Sequence, residues 1–443
     1  MVPNNIHLPN LAKNLPPEVK KIFNIFLNQG YEIRLVGGCV RDLLIEKKVN
    51  DFDFATKFLP EEIIKILEKN KIQAIPTGVK FGTITAVVNH KNFEITTLRK
   101  DSETDGRHCQ PEFIDDYFLD AARRDFTINA LYLDNKGFIH DYFNGISDLK
   151  NQEVKFIGNA QERIEEDFLR ILRFFRFSCD YAKKLDEVGL KACFVKKSGL
   201  QKLSRERIRM EFLKLISSPK KVALIEILKQ AEEQKILPKI FSTKFDIKAL
   251  ETLFQIEDKL QISVDLNLKI AALFLVSCYY REGFNPLPAQ NWIPAFAEMA
   301  KGSSNDKGSR MTAEIMATNS EKQYLQFLIK NIANNFDDKS LKLLLAFENK
   351  DLVRNAYLFS LLKDFNKTKA KKDLEFIENF SIPNFPITGE DVKALGIKDK
   401  NIGIALKEAK EFWVLNGFEP KKEELLKKTQ EKITYFDLKP IPK

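Results

Sequence analysis

Leu35-Val36-Gly37-Gly38-Cys39-Val40-Arg41-Asp42, followed shortly by Asn50-Asp51-Phe52-Asp53-Phe54, decides how this chain is read. The alternating stretch Tyr31-Glu32-Ile33-Arg34-Leu35-Val36 leads into the paired glycines as a strand would. Glycines in that place let the backbone approach a triphosphate, and the helix they open directs its N-terminus at it. Asp51 and Asp53, at i and i+2, share one face of a strand. There they can hold Mg²⁺ between nucleotide phosphates and an attacking hydroxyl. Glu94, on a neighbouring predicted strand, is a candidate third acid. The plainer alternative is a glycine turn followed by ordinary surface acids. Gly-Gly at this distance from an apolar-flanked Asp-x-Asp favours the chemical reading.

Outward from that stretch, strand signals stay near the start. Gly82–Val88 and Phe93–Leu98 read as a hairpin turning at Asn89-His90-Lys91-Asn92, and Pro60–Lys69 reads as a helix with a proline start and acidic first turn. From about Asn159 the pattern is almost entirely helical, so an α+β domain precedes a long helical region. Residues 286–322 interrupt it with a Gly-Ser-rich run of poor periodicity and read as an exposed insertion. The 443 residues imply several domains, and 71 Lys+Arg against 62 Asp+Glu give +9, which fits a solvated surface or a polyanionic partner. The 5 cysteines form no Cys-x-x-Cys pair, and the N-terminus lacks an apolar leader, so a reducing cytoplasm is expected. The longest apolar run, Ile270–Val276 and on through Tyr280, is too short to span a bilayer and reads as a buried helix, and no membrane partner is expected.

Two further motifs follow in order: Arg123-Arg124-Asp125-Phe126-Thr127-Ile128-Asn129-Ala130, and Glu166-Asp167-Phe168-Leu169-Arg170. On a helix Glu166 and Arg170 are i, i+4 neighbours and Asp167 and Arg170 are i, i+3 neighbours. Read without context, this is a surface salt bridge of little value. Arg173 and Arg176 continue that side of the helix toward candidate phosphates. Between the motifs, Asp141–Leu149 contains Gly145, whose freedom suits a hinge. His140-Asp141 spells a metal-phosphohydrolase dipeptide, but the chain has only 4 His, so no His-ligated metal is expected.

In these residues the chain resembles the class II CCA-adding tRNA nucleotidyltransferases and the related bacterial poly(A) polymerases, of the DNA polymerase β superfamily. The resemblance runs through most of 31–215 and returns at Ile387–Leu426. It implies a polymerase-β-like head with a mixed sheet over 1–150. A neck that recognises the base would follow over 151–215, then a helical body over 216–340 and a tRNA-binding tail over 341–443, the helical part being elongated. It implies two Mg²⁺ ions on Asp51 and Asp53, with Glu94 also catalytic. Gly37, Gly38, Arg41, Arg124, Asp125, Asn129 and Arg173 would bind nucleotide, Asp125 accepting from a ribose 2′-OH and Arg124 pairing with phosphate. Glu166, Asp167 and Arg170 would form a protein template. Asp167 would accept from the exocyclic amine of C or A, Arg170 would donate to the ring nitrogen, and Glu166 would hold the guanidinium. Ser204 would cap a neck helix in Leu203–Ile208. The implied partners are ATP, CTP and the tRNA 3′ end. Poly(A) addition stays open as the alternative activity, although Thr77–Thr85 and a full-length Arg99–Ala122 loop resemble the CCA-adding pattern. An RNA-binding scaffold with decayed catalysis is the alternative of another class.

Overall fold

Alternation along three short strands decides the architecture of the first half. Ile33 and Leu35, Phe54, and Phe93 and Ile95 all turn to one face of a sheet, where they meet Val19, Ile22, Phe23 and Phe26 of one helix and Ile63 and Leu67 of another. With a period of two, that commitment sends Asp53, Ala55 and Glu94 to the opposite face. The computed structural model describes residues 4–101, 111–241, 245–279, 319–331, 336–397 and 400–436.

The strands are β1 (Asn4–His7), β2 (Ile33–Val36), β3 (Asp53–Thr56), β4 (Gln73–Gly78), β5 (Thr83–Val88), β6 (Lys91–Thr97), β7 (Arg99–Asp101), β8 (Pro111–Phe113), β9 (Leu131–Leu133) and β10 (Phe138–Asp141). Eight of them form one mixed sheet in the order β1-β10-β9-β2-β3-β6-β5-β4, while β7 and β8 pair separately. β3 and β6 run parallel with Asp53 opposite Glu94, whereas the other pairings are antiparallel. The helices of this half are α1 (Pro9–Lys13), α2 (Pro17–Leu27), α3 (Gly38–Leu44), α4 (Pro60–Lys69), α5 (Tyr117–Ala122) and α6 (Gly145–Asn151). They continue as α7 (Ala160–Glu166), α8 (Leu169–Tyr181), α9 (Glu187–Lys196), α10 (Arg205–Ile216), α11 (Lys221–Glu233) and α12 (Leu237–Ile240). The predicted α+β order is therefore present, with no strand after β10 among the described residues.

Local signals account for most boundaries. Pro60 opens α4, and the Glu62 carboxylate accepts from Leu59 N–H at 2.9 Å. The β5–β6 turn is tighter than expected, because Asn89 and His90 both take positive φ (49° and 61°) and close a two-residue hairpin. Ser204 caps α10 by accepting from Arg207 N–H at 3.4 Å. Gly145 is not placed for flexibility. Its φ is not positive, and a Cβ there would lie 2.2 Å from the Thr127 carbonyl oxygen, so glycine is needed for close approach. Asp141 holds this junction by accepting from Gly145 and Ile146 N–H, both at 2.9 Å, which accounts for the carboxylate of the His-Asp dipeptide.

The chain divides near Thr243, and the described residues beyond it form a second compact unit. It is helical over Ile247–Leu260, Leu266–Tyr279, Asn319–Asn331, Asp338–Phe347, Lys350–Ser360, Lys367–Asn379, Gly389–Ala394, Lys400–Leu415 and Lys422–Phe436. Ile270–Phe274, the core of the longest apolar run, is buried as expected. Trp413, Val392, Ile387 and Leu425 centre a cluster near the C-terminus, where Thr388 and Asp391 cap each other. No helix among the described residues is long and apolar enough to cross a membrane. Most of the 286–322 segment lies outside the described residues, as do 102–110 of the Arg99–Ala122 loop.

Gly145→Ala is expected to destabilise the protein by about 1–3 kcal/mol through overpacking against the Thr127 carbonyl. Denaturant unfolding measures it, and an unchanged midpoint would show that the junction yields freely.

Candidate active site

The open face of the sheet carries the acids. Asp53 starts β3 beside Glu94 on β6, while Asp51, expected on the same strand face, precedes the strand and is exposed. Burial first, then Glu94 and Asp51, push the Asp53 carboxyl up to about 6, against the opposing pull of Arg124. Crowded carboxylates of this kind are short of positive charge. Among the described residues no three His, Cys, Asp or Glu side chains converge closely enough to cage a metal ion. The donor set fits Mg²⁺ nonetheless, because Mg²⁺ commonly takes one or two carboxylates and completes its shell with water and substrate phosphates.

Gly37, with φ +76°, follows β2 and precedes α3 as its N-cap. A Cβ at Gly37 would stand 3.4 Å from Arg124 Nη1, and one at Gly38 would stand 3.5 Å from Arg41 Nη2. Both expected arginines thus reach the glycine turn. Arg41 is buried, and its fork donates to Asp42 at 2.9 and 3.0 Å while Nη1 donates to Asn129 at 2.6 Å. Its guanidinium lies 4.0 Å from the Tyr181 ring centroid. Arg124 donates to Asp120 at 3.0 Å and to the Tyr132 hydroxyl at 3.3 Å.

From Asn129 the contacts run into the helices. Asn129 donates to Asp125 Oδ1 at 3.0 Å, and Phe126 N–H reaches the same oxygen at 2.9 Å. Arg173 of α8 donates to Asp125 Oδ2 at 2.7 Å. Burial alone would raise the Asp125 pKa, but Arg173, Asn129 and the Phe126 N–H outweigh it and hold the carboxyl below its ordinary range. Glu211 of α10 then pairs with Arg173 at 3.6 Å and with Arg176 at 2.7 Å. Arg173 and Arg176 were expected to face phosphates. The structure gives both of them carboxylate partners, because α10 packs on α8 and brings Glu211 between them.

The Glu166–Arg170 motif departs from the expected single helix. α7 ends at Glu166, Asp167 is extended (φ −152°, ψ 103°), and α8 starts at Leu169. Asp167 Oδ1 accepts from Leu169 N–H at 3.1 Å, an Asx turn that makes the break. Glu166 still holds Arg170, at 2.6 Å, as expected. Asp167 pairs with Arg207 of α10 at 2.7 Å instead of facing Arg170. Arg170 Nη1 also donates to the Arg163 carbonyl at 2.9 Å, and Nη2 to the Arg123 carbonyl at 2.8 Å. These contacts use three of the five guanidinium N–H groups. Arg163 donates to the Ala122 carbonyl at 2.8 Å and pairs with Glu166. Arg170 is therefore fastened to the backbone beside Arg124. Asp120, Arg163, Arg207 and Glu211 were missed from sequence. Asp120, four residues before Arg124, and Arg163, three residues before Glu166 on α7, left local signals.

The family model "Poly A polymerase head domain" matches residues 33–155, and "Probable RNA and SrmB- binding site of polymerase A" matches 184–242. The chain is 34% identical over 422 residues to human "CCA tRNA nucleotidyltransferase 1, mitochondrial", covering 92% of this chain and 88% of that protein. It is 40% identical over 228 residues to the "CCA-adding enzyme" of Oceanobacillus iheyensis, covering 51% of this chain and 56% of that one. Among solved structures, the Bacillus stearothermophilus CCA-adding enzyme in complex with CTP aligns with TM-score 0.68 and 22% identity, over 96% of this chain and 99% of that one. The Thermotoga maritima CCA-adding enzyme complexed with tRNA_CCA aligns with TM-score 0.62 and 19% identity, over 98% and 100%. At these identities the structures speak for the fold.

Asp53→Asn removes a carboxylate that is held up to about 6 by burial and like charge. An acid raised in the folded state costs stability when ionised, and the cost disappears as pH falls through that value. The metal-free variant is therefore expected to melt higher than wild type above about pH 6. The gain should vanish near pH 4, and nucleotide incorporation should be abolished. Equal melting of the two proteins at pH 8 would contradict the crowding.

Proposed function

This chain belongs to the family of CCA-adding tRNA nucleotidyltransferases and poly(A) polymerases, and from that premise we propose that it adds CMP and AMP, from CTP and ATP, to the 3′ end of tRNA without a nucleic-acid template. The tRNA 3′-oxygen attacks the α-phosphorus, a new P–O bond forms, and pyrophosphate leaves. The observation that carries this reading is the 34% identity to a CCA-adding relative over 88% of that relative's length. Poly(A) addition to RNA ends is the second reading, favoured only by the names of the family models.

In this proposal Asp51 and Asp53 would hold Mg²⁺, two ions in all, with Glu94 completing the acidic field. Bound there, the ions would bring the hydroxyl and the α-phosphate together and offset phosphate charge. Gly37 and Gly38 let the triphosphate approach the backbone, and Arg124 meets its charge. Arg41 and Asn129 keep that turn and Asp125 in register, and Arg173 fixes Asp125 for the ribose 2′-OH. Asp167 accepts from the amine of C or A, and Arg170 donates to the neighbouring ring nitrogen. Uracil and guanine present the reverse pattern. Glu166 aims Arg170. The break at Asp167 supports this division by keeping Asp167 and Arg170 apart: Asp167 pairs with Arg207 of α10 while Arg170 is held by Glu166.

The test is incubation of the full chain with tRNA lacking its 3′ end, labelled CTP and ATP, and Mg²⁺. Ordered addition of C, C and A supports the proposal, A-tailing of generic RNA supports the second reading, and binding without incorporation rejects both. In the same assay Arg170→Ala is expected to lower the preference for C and A over U and G by about one to two orders of magnitude in kcat/KM. Slowing of all four nucleotides by one factor would make Arg170 a structural residue.

A further inference from the structure

Asp120 lies on α5, outside the motifs, and is 1% exposed. Its Oδ1 accepts from Arg99 N–H at 3.2 Å and from Arg123 Nε at 2.9 Å. Its Oδ2 accepts from Arg124 Nη2 at 3.0 Å and from the Tyr132 hydroxyl at 2.7 Å. The same hydroxyl accepts from Arg124 Nε at 3.3 Å. Arg124 is therefore gripped along its Nε–Nη2 edge. Its Nη1 is the nitrogen nearest the Gly37 turn, 3.4 Å from where a Cβ would be. A planar guanidinium held on one edge has a fixed direction for the other. Burial would raise the Asp120 pKa, but Arg124 and Arg123 outweigh it and keep the carboxylate charged.

We propose that Asp120 is the positioning residue for the nucleotide triphosphate: it orients Arg124 so that Nη1 faces the terminal phosphates at the Gly37–Gly38 turn. This rests on reading that turn as the nucleotide site. Asp120 does not touch the nucleotide and acts through Arg124. The effect follows phosphate number, and base choice, which belongs to Asp167 and Arg170, is untouched.

The experiment is titration of the full-length protein with CTP and with CMP, Mg²⁺ present, for wild type, Asp120→Asn, Asp120→Glu and Tyr132→Phe. Loss of one oriented, charge-assisted contact is expected to weaken CTP about tenfold in Asp120→Asn and CMP less than about twofold. Asp120→Glu should recover part of the loss by restoring the charge, and Tyr132→Phe should shift CTP in the same direction by less. In steady state, KM for CTP and ATP should rise together with the C-over-U preference unchanged. Equal weakening of CTP and CMP in Asp120→Asn, or undiminished CTP affinity, would overturn the proposal. If Asp120→Asn does not fold, an unchanged CTP-to-CMP affinity ratio in Tyr132→Phe overturns it alone. A wild-type protein that binds CTP no tighter than CMP overturns the turn as the nucleotide site and this role with it. That outcome appears before any variant is compared.

Discussion

The ion pair between Arg173 and Asp125, at 2.7 Å, is the constraint on which the candidate site depends. One partner comes from the segment between α5 and β9 in the sheet half, the other from α8, which also carries Arg170. Through Asn129 and Arg41 the pair reaches the glycine turn, and through Glu211 it reaches α10. Asp125 is buried, while Arg173 is half-buried and also faces Glu211. The pair therefore contributes little net stability compared with an apolar replacement, and removing Arg173 leaves the buried Asp125 carboxylate short of its cation. The value of the pair lies in fixing geometry. The sheet's acids and the Glu166–Arg170 motif come from separate elements, and the proposed reaction would need both on one nucleotide.

Charge is arranged in opposite senses at the two ends of this line. At the sheet, Asp51, Asp53 and Glu94 repel one another, and Asp53 titrates high. At Asp120 and Asp125, arginines over-satisfy the carboxylates and hold them ionised. The first arrangement stores an affinity for cations. The second fixes side chains that would otherwise swing. This contrast separates acids suited to metal from acids suited to orientation, although sequence presents them alike.

What was legible in the sequence follows local rules. The α+β order, α4 with its proline start, the β5–β6 hairpin and the Ser204 cap were each written within a few residues of where they occur. The facing of Asp53 and Glu94 followed from strand alternation once Phe54 and Ile95 were assigned to the core. The partners that α10 supplies, Arg207 and Glu211, were not legible, because they depend on how two helices pack some forty residues apart. The break at Asp167 was also missed. Helical spacing alone makes Glu166–Arg170 look continuous, and an Asx turn competes with the helix without altering the spacing. Gly145 was read as freedom and proved to be close approach, two uses of glycine that one sequence cannot distinguish.

The central claim is that Asp125 and Arg173 act as a unit joining the sheet to the helices. A double-mutant cycle on denaturant unfolding tests it, using Asp125→Asn, Arg173→Gln and both together. If the pair is the joint, the double variant should be less destabilised than the sum of the singles by about 2 kcal/mol or more, since the second change removes a charge that the first left unpaired. Additivity within about 0.5 kcal/mol would contradict the account.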